Sequence, residues 1–257
     1  GFVPTMGALH QGHLSLVKKA QQKNDFVVVS IFVNPTQFDK KEDLINYPKT
    51  IDEDIKLLEN ISCDVLFLPS VQEIYADNIS SEKFDFDGLE HQMEGKFREG
   101  HFNGVGTIVK ALFLIVEPTK AYFGEKDFQQ LQIVRKLTEL EDLPVEIVGS
   151  PIHRAESGLA MSSRNRRLTQ EQLAAAPFIY KILKEAQQRF ESESIPALTR
   201  WAEEAFAAHP ILELEYFEIE AIHNLKTAKR KHRGNSYRAF VAAFAGEVRL
   251  IDNIGLN

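Results

Sequence analysis

The chain has 257 residues, 44% of them hydrophobic and 26% charged, which supplies enough apolar material for one large domain or two smaller ones. A net charge of −7 argues against general binding to nucleic acids or anionic membranes, and no apolar run reaches the ~18 residues of a membrane span. The single cysteine, Cys63, cannot form an internal disulfide and fits a reducing compartment. We therefore expect a cytoplasmic protein without nucleic-acid or membrane partners, in which a local group of cations binds any anionic ligand.

Strand-like and helical segments alternate through roughly the first 150 residues. The predicted strands are, in chain order, GFVP, FVVVSIFV, DVLFLP, AYFG and VEIVGSP. The helices predicted between them are HLSLVKKAQQKN, TIDEDIKLLENI, VGTIVKALFLIVE and DFQQLQIVRKLTEL. FVVVSIFV has Ser30 as its only polar residue, which is typical of a parallel strand that is buried on both faces. The alternation predicts an α/β domain with a doubly wound, Rossmann-like parallel sheet over residues 1–152.

The pattern changes in the last third of the chain. Two helical stretches follow one another from about Thr169 to Ala208, and the strands predicted after them are LELEYFEIEAI, SYRAFVAAFA and EVRLID, with a tight hairpin turn at AGE. This order predicts a second, smaller α+β domain over residues 153–257, with the boundary within residues 151–157. The basic run KTAKRKHR, Lys226 to Arg233, is typical of a solvated loop, because no aromatic side chains for nucleic-acid stacking lie within it.

The stretch VPTMGALHQGH follows the first strand and carries two histidines three residues apart. In a helix His10 and His13 would lie on one face, and a helix that begins after a glycine-containing turn offers N–H groups to an anion such as phosphate. Gly12 favours close backbone approach, since glycine costs a helix ~1 kcal/mol. Two alternatives stay open: ordinary surface histidines, and a zinc site. Zinc needs a third ligand, and H-x-x-H lacks the glutamate of the metalloprotease signature.

Two further polar stretches also follow predicted strands. VNPTQF places the amides of Asn34 and Gln37 after the second strand, where they can bind a hydroxyl or a carboxylate without adding charge. FGEKDFQQ places Lys126 and Asp127 at the start of a helix, with Gln130 one turn later. The alternative for FGEKDFQQ is that its charged residues only begin a helix.

The fourth stretch, GLAMSSRN, combines Ser162, Ser163 and Arg164 in a glycine-led loop, all donors suited to phosphate oxygens. Its alternative is a simple helix N-cap. Doubly wound sheets bind ligands outside the carboxyl ends of their strands, and we expect all four stretches there. Their shared location argues for one binding site.

PTMGALHQGH, SIFVNPTQF, YFGEKDFQQ and GLAMSSRN resemble, in unbroken order, the motifs of the pantothenate synthetase (pantoate–β-alanine ligase) family. The resemblance covers essentially the whole chain. The wider pattern is similar to the nucleotidylyltransferase and class I aminoacyl-tRNA synthetase superfamily. The H-x-G-H signature of that superfamily is met by His10, Gly12 and His13, and its mobile phosphate loop resembles MSSR.

The resemblance implies that ATP drives the condensation of pantoate with β-alanine through a pantoyl-adenylate, that AMP and pyrophosphate are released, and that Mg²⁺ is required. It also implies a homodimer, an N-terminal domain that binds ATP and pantoate, and a C-terminal lid. Gln37 and Gln130 would then hold pantoate, with Asn34 beside them. The implied ATP-binding residues are Met6, Gly7, His10, Gly12, His13, Gly124, Lys126, Asp127, His153, Met161, Ser162, Ser163 and Arg164. No residue is assigned to a metal.

Adenylation brings a carboxylate onto a polyanionic triphosphate, so cations and N–H donors must screen the approach. Lys126 and Arg164 are the candidate catalytic cations, with His10 and His13 assisting the α-phosphate and the departing pyrophosphate. The resemblance makes His13 a proton donor.

The sequence departs from the family in REGHF, where Glu99 replaces a proline that would stiffen the loop. The family also begins upstream of Gly1, with a helix and the rest of the first strand. Two other functions remain as alternatives. One is a nucleotidylyltransferase acting on a phosphorylated metabolite, which does not account for the VNPTQF and FQQ amides. The other is a non-catalytic nucleotide-binding module, which would be expected to lack Lys126 and Arg164.

Overall fold

The computed structural model describes residues 1–38 and 41–257. They form two compact units, Gly1–Ile152 (unit 1) and His153–Asn257 (unit 2). The strands of unit 1 are β1 (Phe2–Thr5), β2 (Val28–Ile31), β3 (Val65–Phe67), β4 (Lys120–Gly124) and β5 (Glu146–Ser150). Its helices are α1 (Gln11–Gln21), α2 (Lys41–Ile45), α3 (Ile51–Asn60), α4 (Val71–Tyr75), α5 (Met93–Phe97), α6 (His101–Val116) and α7 (Phe128–Leu140), with 3₁₀ turns at Pro35–Gln37, Leu89–His91 and Glu125–Asp127.

In the described part of unit 1 the five strands are all parallel and lie in the order β3-β2-β1-β4-β5. The chain therefore starts at the central strand, moves outward through β2 to β3, and then returns to β4 on the other side of β1. The carboxyl ends of β1 and β4 border the topological switch point, which is where open α/β sheets bind ligands.

The sheet packs against α1 through a stripe of apolar side chains. Leu14, Val17 and Ala20 are the buried residues of α1, and side chains three residues apart lie on the same face of a helix. They join Val3 and Val29 in one hydrophobic cluster. This packing fixes the N-terminus of α1 next to the end of β1.

β2 is shorter than the apolar run that predicts it. The ladder covers only Val28–Ile31, and Phe26 is 56% exposed outside it. Ser30 is fully buried, in agreement with a strand covered on both faces. The hydrophobic run therefore overestimates the length of the strand by two residues at each end.

Unit 2 combines helices with an antiparallel sheet. Its helices are α8 (Gln170–Ala175), α9 (Phe178–Arg189) and α10 (Ile195–Ala207), and its strands, in the order β6-β7-β8, are β6 (Leu212–Ala221), β7 (Tyr237–Ala245) and β8 (Val248–Gly255). A tight turn with Gly246 at φ +60° joins β7 to β8 at the predicted AGE hairpin. Ile179, Ile182, Leu183 and Ala186 of α9 form the stripe that enters the core of this unit.

The helical region of unit 2 differs from the prediction of two stretches, because the first of them is divided into α8 and α9. Pro177 lies at the division, since it has no N–H and cannot continue the preceding helix. The predicted fold class, a doubly wound parallel sheet followed by a smaller α+β domain, is confirmed. None of the helices in residues 1–38 and 41–257 is long and apolar enough to cross a bilayer.

Candidate active site

The loop between β1 and α1 is held by a buried carboxylate. Asp54 of α3 is 1% exposed and accepts the backbone N–H groups of Ala8 at 2.9 Å and Leu9 at 2.7 Å. Gly7 and Ala8 have φ angles of +81° and +50°, so the loop turns sharply before α1. A Cβ on Gly7 would lie 2.9 Å from a methyl group of Ile31, which explains the glycine. The sequence did not single out Asp54, because TIDEDIK contains several acidic residues.

His10 and His13 form a capping box at the N-terminus of α1. His10 is the N-cap, and its Nδ1 accepts the N–H of Gly12 at 3.1 Å. The Nδ1 of His13 accepts the N–H of His10 at 3.3 Å, and the two ring centroids are 4.0 Å apart. Because both Nδ1 atoms accept, the proton of each neutral ring is on Nε2. The backbone therefore selects the tautomer in which both rings carry an Nε2–H donor.

His13 is held in its neutral form. Burial is the main cause that lowers its pKa to about 4, and the positive charge of Lys126 is the second. Lys126 lies in the 3₁₀ turn directly after β4, with a side chain 18% exposed and its Nζ 3.5 Å from Oδ1 of Asp127. The two loops at the switch point thus bring a neutral imidazole and an ammonium close enough to interact. Gly124 has an ordinary φ of −77° and marks the end of β4.

The stretch after β2 places both predicted amides in the interior. Asn34 is 1% exposed, and its Nδ2 donates to the carbonyl of Gly104 at 3.0 Å and to Oε1 of Gln37 at 3.3 Å. Its Oδ1 accepts the hydroxyl of Tyr75 at 2.6 Å. Gln37 is 8% exposed and donates to Sδ of Met6 at 2.8 Å. Both ends of the Asn34 amide are therefore engaged within the protein, and one of them orients Gln37.

The backbone of Gln37 is fixed by α6 and the residues before it. Its carbonyl accepts from Nδ1 of His101 at 2.8 Å and from Nη2 of Arg98 at 3.3 Å, while Nη1 of Arg98 lies 3.1 Å from Nε2 of His101. These contacts are consistent with a neutral His101 protonated on Nδ1. A Cβ on Gly104 would lie 2.4 Å from the Thr36 carbonyl, so this glycine lets α6 pack directly on the turn. Glu99, which replaces the expected proline, is exposed.

The two glutamines at the start of α7 have different environments. Gln129 is 3% exposed, accepts the N–H of Glu94 at 3.0 Å and donates to the carbonyls of Leu89 and Gln92, both at 2.8 Å. It therefore holds the α5 segment. Gln130 is the half-buried neighbour, one residue further along α7.

The fourth stretch, residues 158–165, lies in unit 2 and begins within a short hairpin that follows β5. The N–H of Met161 donates to the carbonyl of His153 at 3.0 Å, so these two predicted residues are adjacent. Ser162 caps the 3₁₀ turn Ser163–Arg167 by accepting the N–H of Arg164 at 3.3 Å. The N-cap alternative therefore describes one role of Ser162. A short hairpin, closed by the bridge between Arg154 and Ala160, lies between β5 and the MSSR part of this stretch.

An ion pair that the sequence analysis missed anchors this hairpin. Arg154 donates to both carboxylate oxygens of Asp252, at 2.6 and 2.9 Å, and to the carbonyl of Gly158 at 3.1 Å. Its guanidinium lies 3.7 Å from the ring centroid of Tyr180. The partners are 98 residues apart in sequence, so no local pattern connects them.

The described residues give no support to the zinc alternative. No group of three or more histidine, cysteine, aspartate or glutamate side chains suited to a metal lies together in residues 1–38 and 41–257. His10 and His13 instead have their Nδ1 atoms engaged by backbone N–H groups. This arrangement is better suited to an anion, which would meet two ring N–H donors, the N-terminus of α1 and Lys126.

The sheet order, with this loop at the switch point, is that of the α/β folds that bind nucleotides at this edge. The family model for pantoate-beta-alanine ligase matches residues 1–255 of the chain. The pantothenate synthetases of Christiangramia forsetii and Flavobacterium psychrophilum are 57% and 53% identical, and each alignment covers 100% of this chain and 91% of the relative. The chain therefore belongs to the pantoate–β-alanine ligase family.

Two solved structures agree in fold over the whole chain. A pantothenate synthetase from Thermus thermophilus has a TM-score of 0.94 at 43% identity, with 100% of this chain and 92% of that chain covered. A pantoate-beta-alanine ligase from Francisella tularensis has a TM-score of 0.81 at 39% identity, with 100% and 89% covered. The Francisella protein was solved with beta-gamma ATP and beta-alanine bound. Membership in this family makes the chain an ATP-using carbon–nitrogen ligase that joins pantoate to β-alanine.

Proposed function

We propose that the site at the switch point of unit 1 performs this ligation in two steps, through a pantoyl-adenylate. The observation that carries the proposal is the histidine pair, whose Nε2–H donors are set by the capping box beside Lys126. The loop before the pair contacts the Gln37 turn, since Nε2 of Gln37 donates to Sδ of Met6 at 2.8 Å. This turn would hold the acid substrate. ATP and β-alanine are taken as substrates from the Francisella relative.

In the first step a pantoate carboxylate oxygen forms a bond to the α-phosphorus of ATP, and the bond to the bridging oxygen of pyrophosphate breaks. Negative charge accumulates on the α-phosphate and on the leaving group. Lys126 offsets this charge, and His10 and His13 donate hydrogen bonds from Nε2. Because His13 is neutral, it donates a hydrogen bond in this proposal without giving up its proton.

In the second step the amine of β-alanine attacks the acyl carbon, AMP leaves and the nitrogen loses a proton. Gln37 and Gln130 would hold pantoate through both steps with neutral amides, which avoid repulsion from its carboxylate. Asn34 contributes by orienting the Gln37 side chain, to which its Nδ2 donates at 3.3 Å.

Mg²⁺ is the expected companion of ATP. It binds nucleotides mainly through phosphate oxygens, with one or two carboxylates. Asp127 supplies a half-exposed carboxylate in the same turn as Lys126, so the donor set near the proposed phosphate site is compatible with Mg²⁺. When bound, the ion would neutralise part of the phosphate charge. We expect activity to be lost with a general divalent chelator and kept with a zinc-specific one.

Several assignments rest on the family resemblance. These are the roles of His153 and Met161–Arg164 in ATP binding, the homodimer and the cytoplasmic location. Substitution of Arg164 by Ala, with measurement of KM for ATP, tests the first assignment. Sedimentation of the purified protein tests the second.

The decisive test of the two-step reaction is isotope exchange between ATP and pyrophosphate with pantoate present and β-alanine absent. The adenylate forms before the amine is needed, so we expect exchange that depends on pantoate. Exchange that starts only when β-alanine is added would exclude the two-step mechanism. Exchange that needs a phosphorylated metabolite in place of pantoate would favour a nucleotidylyltransferase.

A further inference from the structure

The connection between β6 and β7 is unusually long and basic. It runs over residues 222–236, whereas antiparallel strands are most often joined by about two to five residues. It holds five Lys or Arg residues and no Asp or Glu, in a chain whose net charge is −7. A solvated loop, as expected from the sequence, does not require so one-sided a composition.

This connection is built onto the sheet. The N–H of Ala228 donates to the carbonyl of Ile219 at 2.9 Å, and Leu225 is fully buried. The hydroxyl of Tyr237, itself 2% exposed, accepts the N–H of His232 at 2.7 Å. These anchors give the segment a defined shape.

The segment borders an open concavity with a volume of about 410 Å³, within the range of small-molecule sites. Its charged walls are Lys226, Lys229 and Arg230, with His223 and His232 beside them, and no carboxylate is among the lining residues. In the part of the chain that the structure describes, none of the three cations forms an ion pair. Like charges that converge on one concavity raise its positive potential and favour an anion.

Lys231, in the same segment, has a structural role. Its ammonium donates to the backbone carbonyls of Phe190 and Glu191, the latter at 3.3 Å, and it lies 4.6 Å from the Phe190 ring centroid. Lys226, Lys229 and Arg230 line the cavity instead. Of the five cations in this segment, Lys231 therefore stabilises the fold and three face a common space, while Arg233 lies outside the lining.

We propose that this cavity of unit 2 is a second anion site, which takes a small polyphosphate such as a di- or triphosphate group. Three cations offset most of the charge of such a ligand, and the His and Asn side chains of the lining supply directed hydrogen bonds. Tyr237 is the only Phe, Trp or Tyr among the lining residues and is almost fully buried, so no platform exists for a nucleobase. The phosphates, not a base, are what the site recognises.

Calorimetric titration of the full chain with inorganic tripolyphosphate, at fixed ionic strength, tests the site. We expect Lys229→Ala with Arg230→Ala to weaken this binding about tenfold or more. The matched control is Lys181→Ala with Lys184→Ala, which removes two exposed lysines of α9 in the same unit and should change the affinity less than about threefold. Lys126→Ala should leave this site unchanged, because Lys126 is not among the residues that line it.

A footprint on the unsubstituted protein gives an independent measurement. Tripolyphosphate should protect Lys226 and Lys229 from acetylation, as read by mass spectrometry, while Lys181 stays reactive. Equal losses from the two double variants, or absence of protection, would show general charge attraction and overturn the proposal. Loss of all binding in Lys126→Ala would assign the ligand to unit 1. A single-stranded RNA that binds through Lys229 and Arg230 and is not displaced by tripolyphosphate would make the surface a nucleic-acid site.

Discussion

A histidine that accepts a backbone N–H through Nδ1 loses that hydrogen bond when the ring takes up a second proton. His13 is in this position, and burial together with Lys126 lowers its pKa to about 4. From pH 5.5 upward the ring is therefore neutral in the folded protein, with its proton on Nε2. Such a ring stabilises developing phosphate charge as a fixed donor, and it needs no reprotonation between turnovers.

We expect His13→Ala to lower kcat of ATP–pyrophosphate exchange by about 10²- to 10³-fold, with a much smaller change in KM for ATP, because the donor acts on charge that develops in the transition state. His13→Gln should recover part of the rate, since glutamine at this position keeps a capping acceptor and an N–H donor. Between pH 5.5 and 7.5 the pH profile of the exchange rate should have the same shape in the wild type and in His13→Gln, because His13 does not titrate in this range. An unchanged kcat with a raised KM would make His13 a ground-state binding residue.

Gln37 has a backbone pinned by His101 and Arg98 and a side chain that is 8% exposed. A Gln37→Glu substitution keeps its shape and, in the proposed site, places a carboxylate beside that of pantoate. Two charges ~4 Å apart repel by about 4 kcal/mol at an effective dielectric constant near 20. We expect KM for pantoate to rise about tenfold or more at neutral pH and to recover partly as the pH falls and the new acid is protonated. If ATP affinity falls while pantoate kinetics are unchanged, Gln37 faces the nucleotide.

Single residues differ in how far the sequence predicts them. His10, His13 and Lys126 lie in short motifs after predicted strands, so topology alone brings them to one edge. Asp54 could not be found in this way, because its partners are 45 and 46 residues away and its helix carries other acids. Its signal exists only in three dimensions, as a buried carboxylate that accepts two backbone N–H groups.

At the scale of elements, the β1–α1 loop depends on α3, and Asp54→Asn tests that dependence. An amide presents one oxygen in place of two, so one of the Ala8 and Leu9 N–H groups loses its acceptor in a buried place. We expect the free energy of unfolding to fall by about 1–3 kcal/mol in urea denaturation, with a loss of exchange activity as the histidine pair shifts. The control is Asp52→Asn, which removes the same charge from an exposed position in the same helical turn.

Equal effects of the two substitutions would assign the loss to the net charge of the helix N-terminus and not to the loop.

The sequence predicts helices and strands well where the hydrophobic residues follow one clear period, as in α1 and α9. It does not predict the ends of these elements where a single residue decides the boundary. Pro177 divides a helical stretch, and β2 ends short of its apolar run because only four residues pair with β1.

At the scale of the whole molecule, composition predicts an ordinary globular protein and the alternation of elements predicts its architecture. Neither composition nor the alternation of elements predicts where charged side chains form local clusters. The chain is acidic overall, yet Lys126 lies at the switch point and five cations crowd residues 222–236. Net charge averages over such local groups, so it argues against a general basic surface and gives no information on the two proposed anion sites.

The pH dependence of stability is the last prediction, and its sign follows from the His13 pKa. The folded protein holds this group near pKa 4, while the unfolded chain has the ordinary value of 6.5. Between these values the unfolded state binds a proton that the folded state does not, so stability falls as the pH falls from 6.5 toward 4. We expect this group to account for roughly 1–2 kcal/mol between pH 7 and pH 4.5, less than the full pKa difference implies because residue 13 keeps some contact with solvent. His13→Gln has no titrating group at this position, so its free energy of unfolding should fall by about 1–2 kcal/mol less than that of the wild type over the same pH interval. The single tryptophan, Trp201, lies in unit 2, so the comparison needs circular dichroism with hydrogen exchange of the α1 amides in place of tryptophan fluorescence. If wild type and His13→Gln lose equal stability on acidification, His13 is solvated in the folded protein, and its role as a permanently neutral donor is wrong.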